Sequence, residues 1–167
     1  GCNVVINYSR SEGPAEAVAD ECRAKGVEAI AVKADVGDDA DCRRLVQAAV
    51  DKWGRVDCLV NNAGTTKFVA HDDLDGLDAD DFLGIYRINV VGGYQMVRAA
   101  RPHLKASGDG SVVNVSSIAG VMGTGSCIAY AASKGAVNTM TLSLARALGP
   151  EIRVNTVCPG FVQGSWL

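Results

Sequence analysis

The 167-residue sequence contains no apolar run approaching the roughly 18 residues that cross a bilayer, and no basic leader followed by a cleavage site. Neither a helical membrane span nor a signal peptide is written into it, so the expectation is a cytoplasmic protein. There is no basic stripe. The formal net charge is -3 and is spread along the chain, which leaves nothing to neutralise nucleic-acid phosphates. Six cysteines occur without a Cys-x-x-Cys pair or a flanking histidine, which argues against a zinc site and for reduced, mostly packed thiols. His71 and His103 are the only histidines. His71-Asp72-Asp73 alone hints at metal ligation, and a solvated acidic loop explains it better because consecutive loop residues rarely supply a tetrahedral set. No metal is expected. Gly-x-Ser-x-Gly is absent and no histidine is evidently placed to activate a serine, so nucleophilic hydrolysis is set aside. Gly-x-Gly-x-x-Gly is absent as well.

What remains is a chain that is 48% hydrophobic and 21% charged, enough to bury one sizeable core. Short β-branched runs alternate with longer stretches of helical period, the pattern of βαβ units around a parallel sheet. The predicted strands are Asn3 to Tyr8, Val27 to Lys33, Val56 to Asn61, Ser111 to Ser116 and Ile152 to Val157. Several are apolar on both faces, which predicts a sheet covered by helices on each side. Predicted helices run from Pro14 to Lys25, Asp39 to Trp53, Asp78 to Ala106 and Ala129 to Leu148, with Asp38 and Asp78 as caps. Gly92-Gly93 marks a weak point inside the third, where a bend or a close approach is expected. The fold class is α/β, a doubly wound parallel sheet.

The most informative segment is Tyr130-Ala131-Ala132-Ser133-Lys134. A spacing of four on a helix puts Tyr130 and Lys134 on one face, where an ammonium favours the phenolate and lowers the phenol's pKa. Alone, such a pair often only packs a lysine stem along a ring. Its weight comes from company: Ser117 at the end of a strand 13 residues earlier, and Asn89 further upstream.

Asn61-Asn62-Ala63-Gly64, Ile88-Asn89-Val90, Ser116-Ser117, Tyr130 to Lys134, and Asn155 followed by Pro159-Gly160 form an ordered series over nearly the whole chain. That series resembles the short-chain dehydrogenase/reductase family, on its single-domain ketoreductase-like branch. The resemblance implies a Rossmann-like fold and hydride transfer between a nicotinamide cofactor and a carbonyl or secondary alcohol. Tyr130 would then be the general acid or base, and Ser117 would hydrogen-bond the same substrate oxygen. Lys134 would bind the ribose hydroxyls and tune the tyrosine, while Asn89 would hold a water in a proton relay. This allocation suits the chemistry, since O–H donors stabilise negative charge growing on the carbonyl oxygen.

Cofactor binding is expected at the carboxyl ends of the strands. By the same resemblance Asp35 and Val36 would contact adenine, and Asn62, Ala63 and Gly64 would flank the adenosine. Pro159, Gly160 and Val162 would lie near the nicotinamide, although Gly164, followed by Ser165, stands where the family usually has a carboxamide-binding threonine. At the end of the first strand Ser9 and Arg10 offer a hydroxyl and a guanidinium where an acid would select NAD(H). NADP(H) is therefore preferred, with NAD(H) the alternative.

The family's glycine-rich loop, with its strand and helix, has no counterpart between Gly1 and Leu167. Its strand belongs mid-sheet, between the first strand here and the one ending in Asn61, so the chain is expected to be a partial domain lacking an N-terminal strand and helix and the C-terminal end. When complete, the protein is expected to form a homo-oligomer, dimer or tetramer, through the helix Ala129 to Leu148, whose Ala132, Ala136, Met140 and Leu144 are small or apolar. The substrate expected is a small carbonyl or alcohol, of the kind used by 3-oxoacyl carrier-protein reductases. The alternatives are a nucleotide-sugar epimerase or dehydratase, a non-catalytic dinucleotide-binding or assembly module, and an inactive truncated fragment.

Overall fold

The structure, a computed structural model, describes residues 1–162. Five parallel strands alternate with helices, as the β-branched runs predict. Strand β1 (Val4–Tyr8) leads through α1 (Glu12–Ala24) to β2 (Ala29–Lys33), and α2 (Asp39–Trp53) leads on to β3 (Cys58–Asn61). A long connection then reaches α3 (Ala79–Tyr86), α4 (Gly93–Ser107) and β4 (Gly110–Val115). Finally α5 (Ala119–Met122) and α6 (Ile128–Leu148) precede β5 (Ile152–Val157).

Local chemistry explains the boundaries. Asp38 caps α2 by accepting from the amides of Ala40 and Asp41, and Gly54, at φ 72°, closes the same helix in the left-handed region that glycine tolerates. Asp78 and Asp81 form a reciprocal capping box at the start of α3.

The sheet is in two parts. β1 pairs with β2 in register Val4 to Ala29, and β4 lies between β3 and β5, with Leu59 opposite Val112 and Val112 opposite Val154. Among the described residues no strand pairs with the second edge of β1 or of β3, as the expected strand order requires. This corrects the expectation of a sheet covered on both sides: Val60 is 58% exposed and Cys58 is exposed too, because nothing described covers that face of β3. Cys2 is exposed as well, whereas Cys42 and Cys127 are buried. Burial, with Asp39, Asp38, Asp41 and Asp35 nearby, pushes the Cys42 thiol up to about 11.

The third predicted helix is also corrected. Between α3 and α4 the chain makes a π turn over Arg87–Gly92, which opens the helix by one residue per turn and re-aims α4. The cause is contact. A Cβ on Gly92 would come within 2.8 Å of the Val36 side chain and 3.0 Å of its carbonyl, so only glycine lets the start of α4 press against the loop after β2.

One apolar cluster joins the two parts of the sheet: Cys42, Leu45 and Val46 of α2 meet Met96, Val97 and Leu104 of α4, with Val112, Ile152 and Val154 beneath. A polar ladder lies beside it. Asn61 donates to Asn114 at 2.9 Å, Asn114 to Thr141 at 2.8 Å, and Thr141 to the Val137 carbonyl at 2.8 Å. Asn114 and Thr141 are buried, so a slip in register between β3, β4 and α6 would strand several polar groups. Leu104 is fully buried, and Leu104→Ala is expected to lower unfolding free energy by about 3 kcal/mol in urea titration with an unchanged slope. A loss below about 1 kcal/mol would mean that the cluster collapses around the site rather than holding it.

Candidate active site

The carboxyl end of β4 carries Ser116 and Ser117, and α6 crosses directly above it. The short helix α5, which follows at once, meets α6 backbone to backbone, because a Cβ on its Gly120 would collide with the main chain of Lys134 and Gly135. Ser116 Oγ donates to the Lys134 carbonyl at 3.0 Å, and Lys134 Nζ donates to the Val115 carbonyl at 2.8 Å. Lys134 is therefore buried, at 5% exposure, with its ammonium aimed at the strand end.

One turn earlier Tyr130 is 7% exposed, and its ring centroid lies 5.6 Å from Lys134 Nζ. Cys127 caps this end of α6 through its thiol, which accepts from the Tyr130 amide at 3.3 Å. Burial pushes the Tyr130 phenol above its ordinary value, while a hydrogen bond with Ser117 pulls the other way. Ser117 Oγ also accepts from the Ala119 amide at 3.1 Å, which fixes the hydroxyl at the start of α5. Burial lowers the Lys134 pKa. The expected lowering of the tyrosine by lysine is thus not what dominates here: desolvation of the phenol is the larger effect.

Asn89 sits in the π turn and is buried. Its Oδ1 accepts from the Thr65 amide at 2.7 Å, and its Nδ2 donates to the Thr65 carbonyl and to Ser133 Oγ, both at 3.0 Å. Ser133 in turn donates to the Tyr130 carbonyl at 2.7 Å. The loop after β3 is thereby tied to α6. A Cβ on Gly64 would stand 3.4 Å from Asn89 Oδ1 and 3.8 Å from Lys134 Nζ, so both side chains border that one open stretch of backbone.

Asn89, Ser117, Tyr130 and Lys134 are thus brought together. Of the expected cofactor contacts, Ser9 and Arg10 are exposed just beyond β1, and Asp35 and Val36 follow β2. Asn62 and Ala63 are exposed and Gly64 half-buried after β3. Pro159 accepts from the Ile118 amide at 3.0 Å, with Gly160 and Val162 exposed beyond it. All these segments leave the same end of the parallel strands. Gly164 and Ser165 lie outside the described residues. His71 Nε2 lies 3.2 Å from the Gly125 carbonyl, where it ties the loop after β3 to the turn before α6.

Three features escaped the sequence. Ser133 was legible only as filler between Tyr130 and Lys134, and α5 is too short to show a period. Arg87 lies against Asp35 across 52 positions, a pairing with no local signal.

The chain belongs to the short chain dehydrogenase family, which it matches over residues 1–166. It is 46% identical over 166 residues to a Streptomyces violaceoruber protein named as ketoacyl reductase 2 of the granaticin polyketide synthase, covering 99% of this chain and 65% of that one. A 3-oxoacyl-acyl-carrier-protein reductase of Staphylococcus epidermidis is 36% identical over 97% of this chain and 66% of its own. The chain therefore spans just under two thirds of the length of these curated relatives. Among solved structures, a short-chain dehydrogenase/reductase from Burkholderia xenovorans superposes with TM-score 0.94 at 48% identity, covering 98% of this chain and 68% of that one. NAD+-bound xylitol dehydrogenase superposes with TM-score 0.90 at 32% identity, covering 99% and 63%. The fold is thus Rossmann-like. Among the described residues no helix is long and apolar enough to cross a membrane.

Protonation of Lys134 has a calculable sign. Its folded pKa lies below the unfolded value, so between the two the unfolded chain binds more protons and stability rises with pH toward the ordinary lysine range. Tyr130, raised in the fold, acts oppositely at still higher pH. Lys134→Met is expected to flatten the rise, measured as urea midpoint against pH from 8 to about 10. An identical slope in the variant would assign the effect elsewhere.

Proposed function

We propose that the complete protein is a cytoplasmic ketoreductase that moves a hydride between NADP(H) and a carbonyl or secondary alcohol carbon, NAD(H) being the alternative cofactor. The observation that carries this reading is the convergence of Ser117, Tyr130 and Lys134 where α6 crosses the end of β4. When bound, the nicotinamide supplies or accepts the hydride. The residues present fit such a group: Gly64 leaves open backbone between Asn89 and Lys134, and the Lys134 ammonium uses one donor on Val115, leaving two for ribose hydroxyls.

The raised phenol of Tyr130 stays protonated at neutral pH and is ready to give its proton to an oxygen gaining negative charge. The Ser117 hydroxyl donates to the same oxygen, and burial strengthens both interactions by excluding water. Lys134 holds its charge close to the ring and favours the phenolate that proton transfer leaves. Asn89, already tied to Thr65 and Ser133, keeps the loop after β3 at the mouth of the site and is assigned to the water of the relay.

The names of the relatives support a 3-oxoacyl substrate on a carrier protein, and the mouth agrees in being apolar: Val121 and Met122 of α5 are 72% and 69% exposed. The unpaired edges of β1 and β3 support a further parallel strand of the same polypeptide between them, which makes residues 1–167 one partial domain. Leu142, 58% exposed on α6, with Ala132 exposed on the same helix, supports a homo-oligomer, dimer or tetramer. Ala136, Met140 and Leu144 are half-buried within the chain and contribute less to such a contact.

In the protein expressed from its complete coding sequence, Tyr130→Phe is expected to bind NADPH with near-normal affinity. Ketone reduction should fall by roughly 100- to 10,000-fold in single-turnover absorbance measurements. Unchanged turnover would remove Tyr130 from its role. The 167-residue chain alone is expected to bind NADPH poorly, and stoichiometric binding with cooperative unfolding would overturn the partial-domain reading.

A further inference from the structure

Asp35 is the residue that the family resemblance assigns to adenine, and the structure gives its carboxylate a partner that no sequence pattern announces. Both terminal nitrogens of Arg87, Nη1 and Nη2, lie 3.1 Å from Asp35 Oδ2, while Asp35 Oδ1 accepts from the Gly37 amide at 2.8 Å. The Asp35 amide donates to Asp41 Oδ2 at 2.8 Å, and the Val36 carbonyl accepts from Gln95 Nε2 at 2.9 Å. The guanidinium lies close to Gly37, where a Cβ would collide with Nη1. The Asp35 and Gly37 amides and the Val36 carbonyl are thus all bonded, and the Asp35 carboxylate is held by one side chain from the π turn.

We propose that Arg87 is a positioning residue for adenine recognition: it locks the Asp35 carboxylate in the rotamer in which a free lone pair can accept the adenine amino group. A carboxylate has about four acceptor sites, of which the Gly37 amide and the two guanidinium donors occupy three. The remaining site is fixed in direction. Without Arg87 the carboxylate, 43% exposed, is free to turn toward water, and an amino group gains little there over a carbonyl. The π turn serves both loops, because the same six-residue segment delivers Arg87 to the loop after β2 and Asn89 to the loop after β3. Two strand ends are thereby set from one piece of helix. The proposal rests on the dinucleotide reading of the site, and the test separates the two.

The test compares NADPH with its hypoxanthine analogue, which replaces the amino group by a carbonyl, in the protein expressed from its complete coding sequence. Wild type is expected to prefer NADPH by about tenfold in KM, the size of one well-placed hydrogen bond to a charged group. Arg87→Gln should bring that ratio close to one, Arg87→Lys should restore part of it, and Gly37→Ala, which displaces the guanidinium, should behave like Arg87→Gln. Asp35→Asn should abolish the preference and leave Arg87→Gln with nothing further to remove. A purely structural Arg87 would raise KM for both dinucleotides in step and keep the ratio, and that result overturns the proposal. A wild-type protein that binds neither dinucleotide would instead refute the cofactor reading on which the proposal stands.

Discussion

The backbone of α6 passes against α5 just beyond the end of β4, and the rest of the site depends on that approach. Gly120 of α5 makes it sterically available, and at the adjoining end of β4 Ser116 donates to the Lys134 carbonyl while Lys134 donates to that of Val115. One turn of α6 before Lys134, Tyr130 then reaches Ser117, with which it shares a hydrogen bond. The chemistry then derives from burial. A phenol removed from water holds its proton more firmly, and a lysine removed from water holds its own less firmly. On the proposed function, the donor to a developing oxyanion and the charge that steadies its conjugate base would both be set by this packing.

The two loops that would border a dinucleotide are tied to that crossing from below. Asn89 reaches from the π turn to Thr65 and to Ser133, and the buried ladder of Asn61, Asn114 and Thr141 holds β3, β4 and α6 in a single register. Polar groups inside the fold are used here to specify alignment, since an offset strands donors and acceptors that water cannot reach. Arg87 extends the same logic to the loop after β2. The gap between β1 and β3 interrupts the sheet without interrupting this network, because α2 and α4 carry the packing across it.

Much of this was legible in the residues. The β-branched runs located all five strands with no end off by more than two residues, and Asp38, Gly54 and Asp78 marked helix ends by chemistry that acts locally. Spacing singled out Tyr130 and Lys134, order along the chain singled out Ser117 and Asn89, and the fold brings these four together. The misses have a common origin in contacts between distant segments. Gly92-Gly93 signalled a weak helix, but only the approach of Val36 converts weakness into a π turn. The sequence of β3 is apolar on both faces, yet exposure depends on what covers it, and no residue in the strand encodes that. Burial of Tyr130 likewise reverses the direction expected from the neighbouring lysine alone.

The central claim is that this site passes hydride directly to a carbonyl carbon while Tyr130 and Ser117 attend to the oxygen. It is tested most directly by following label: the complete protein is given NADPH deuterated at both C4 positions and a small 3-oxo ester in ordinary water, and the alcohol formed is examined by mass spectrometry and NMR. One deuterium on the carbinol carbon of every product molecule is the predicted result. Alcohol carrying hydrogen from water at that carbon would contradict it.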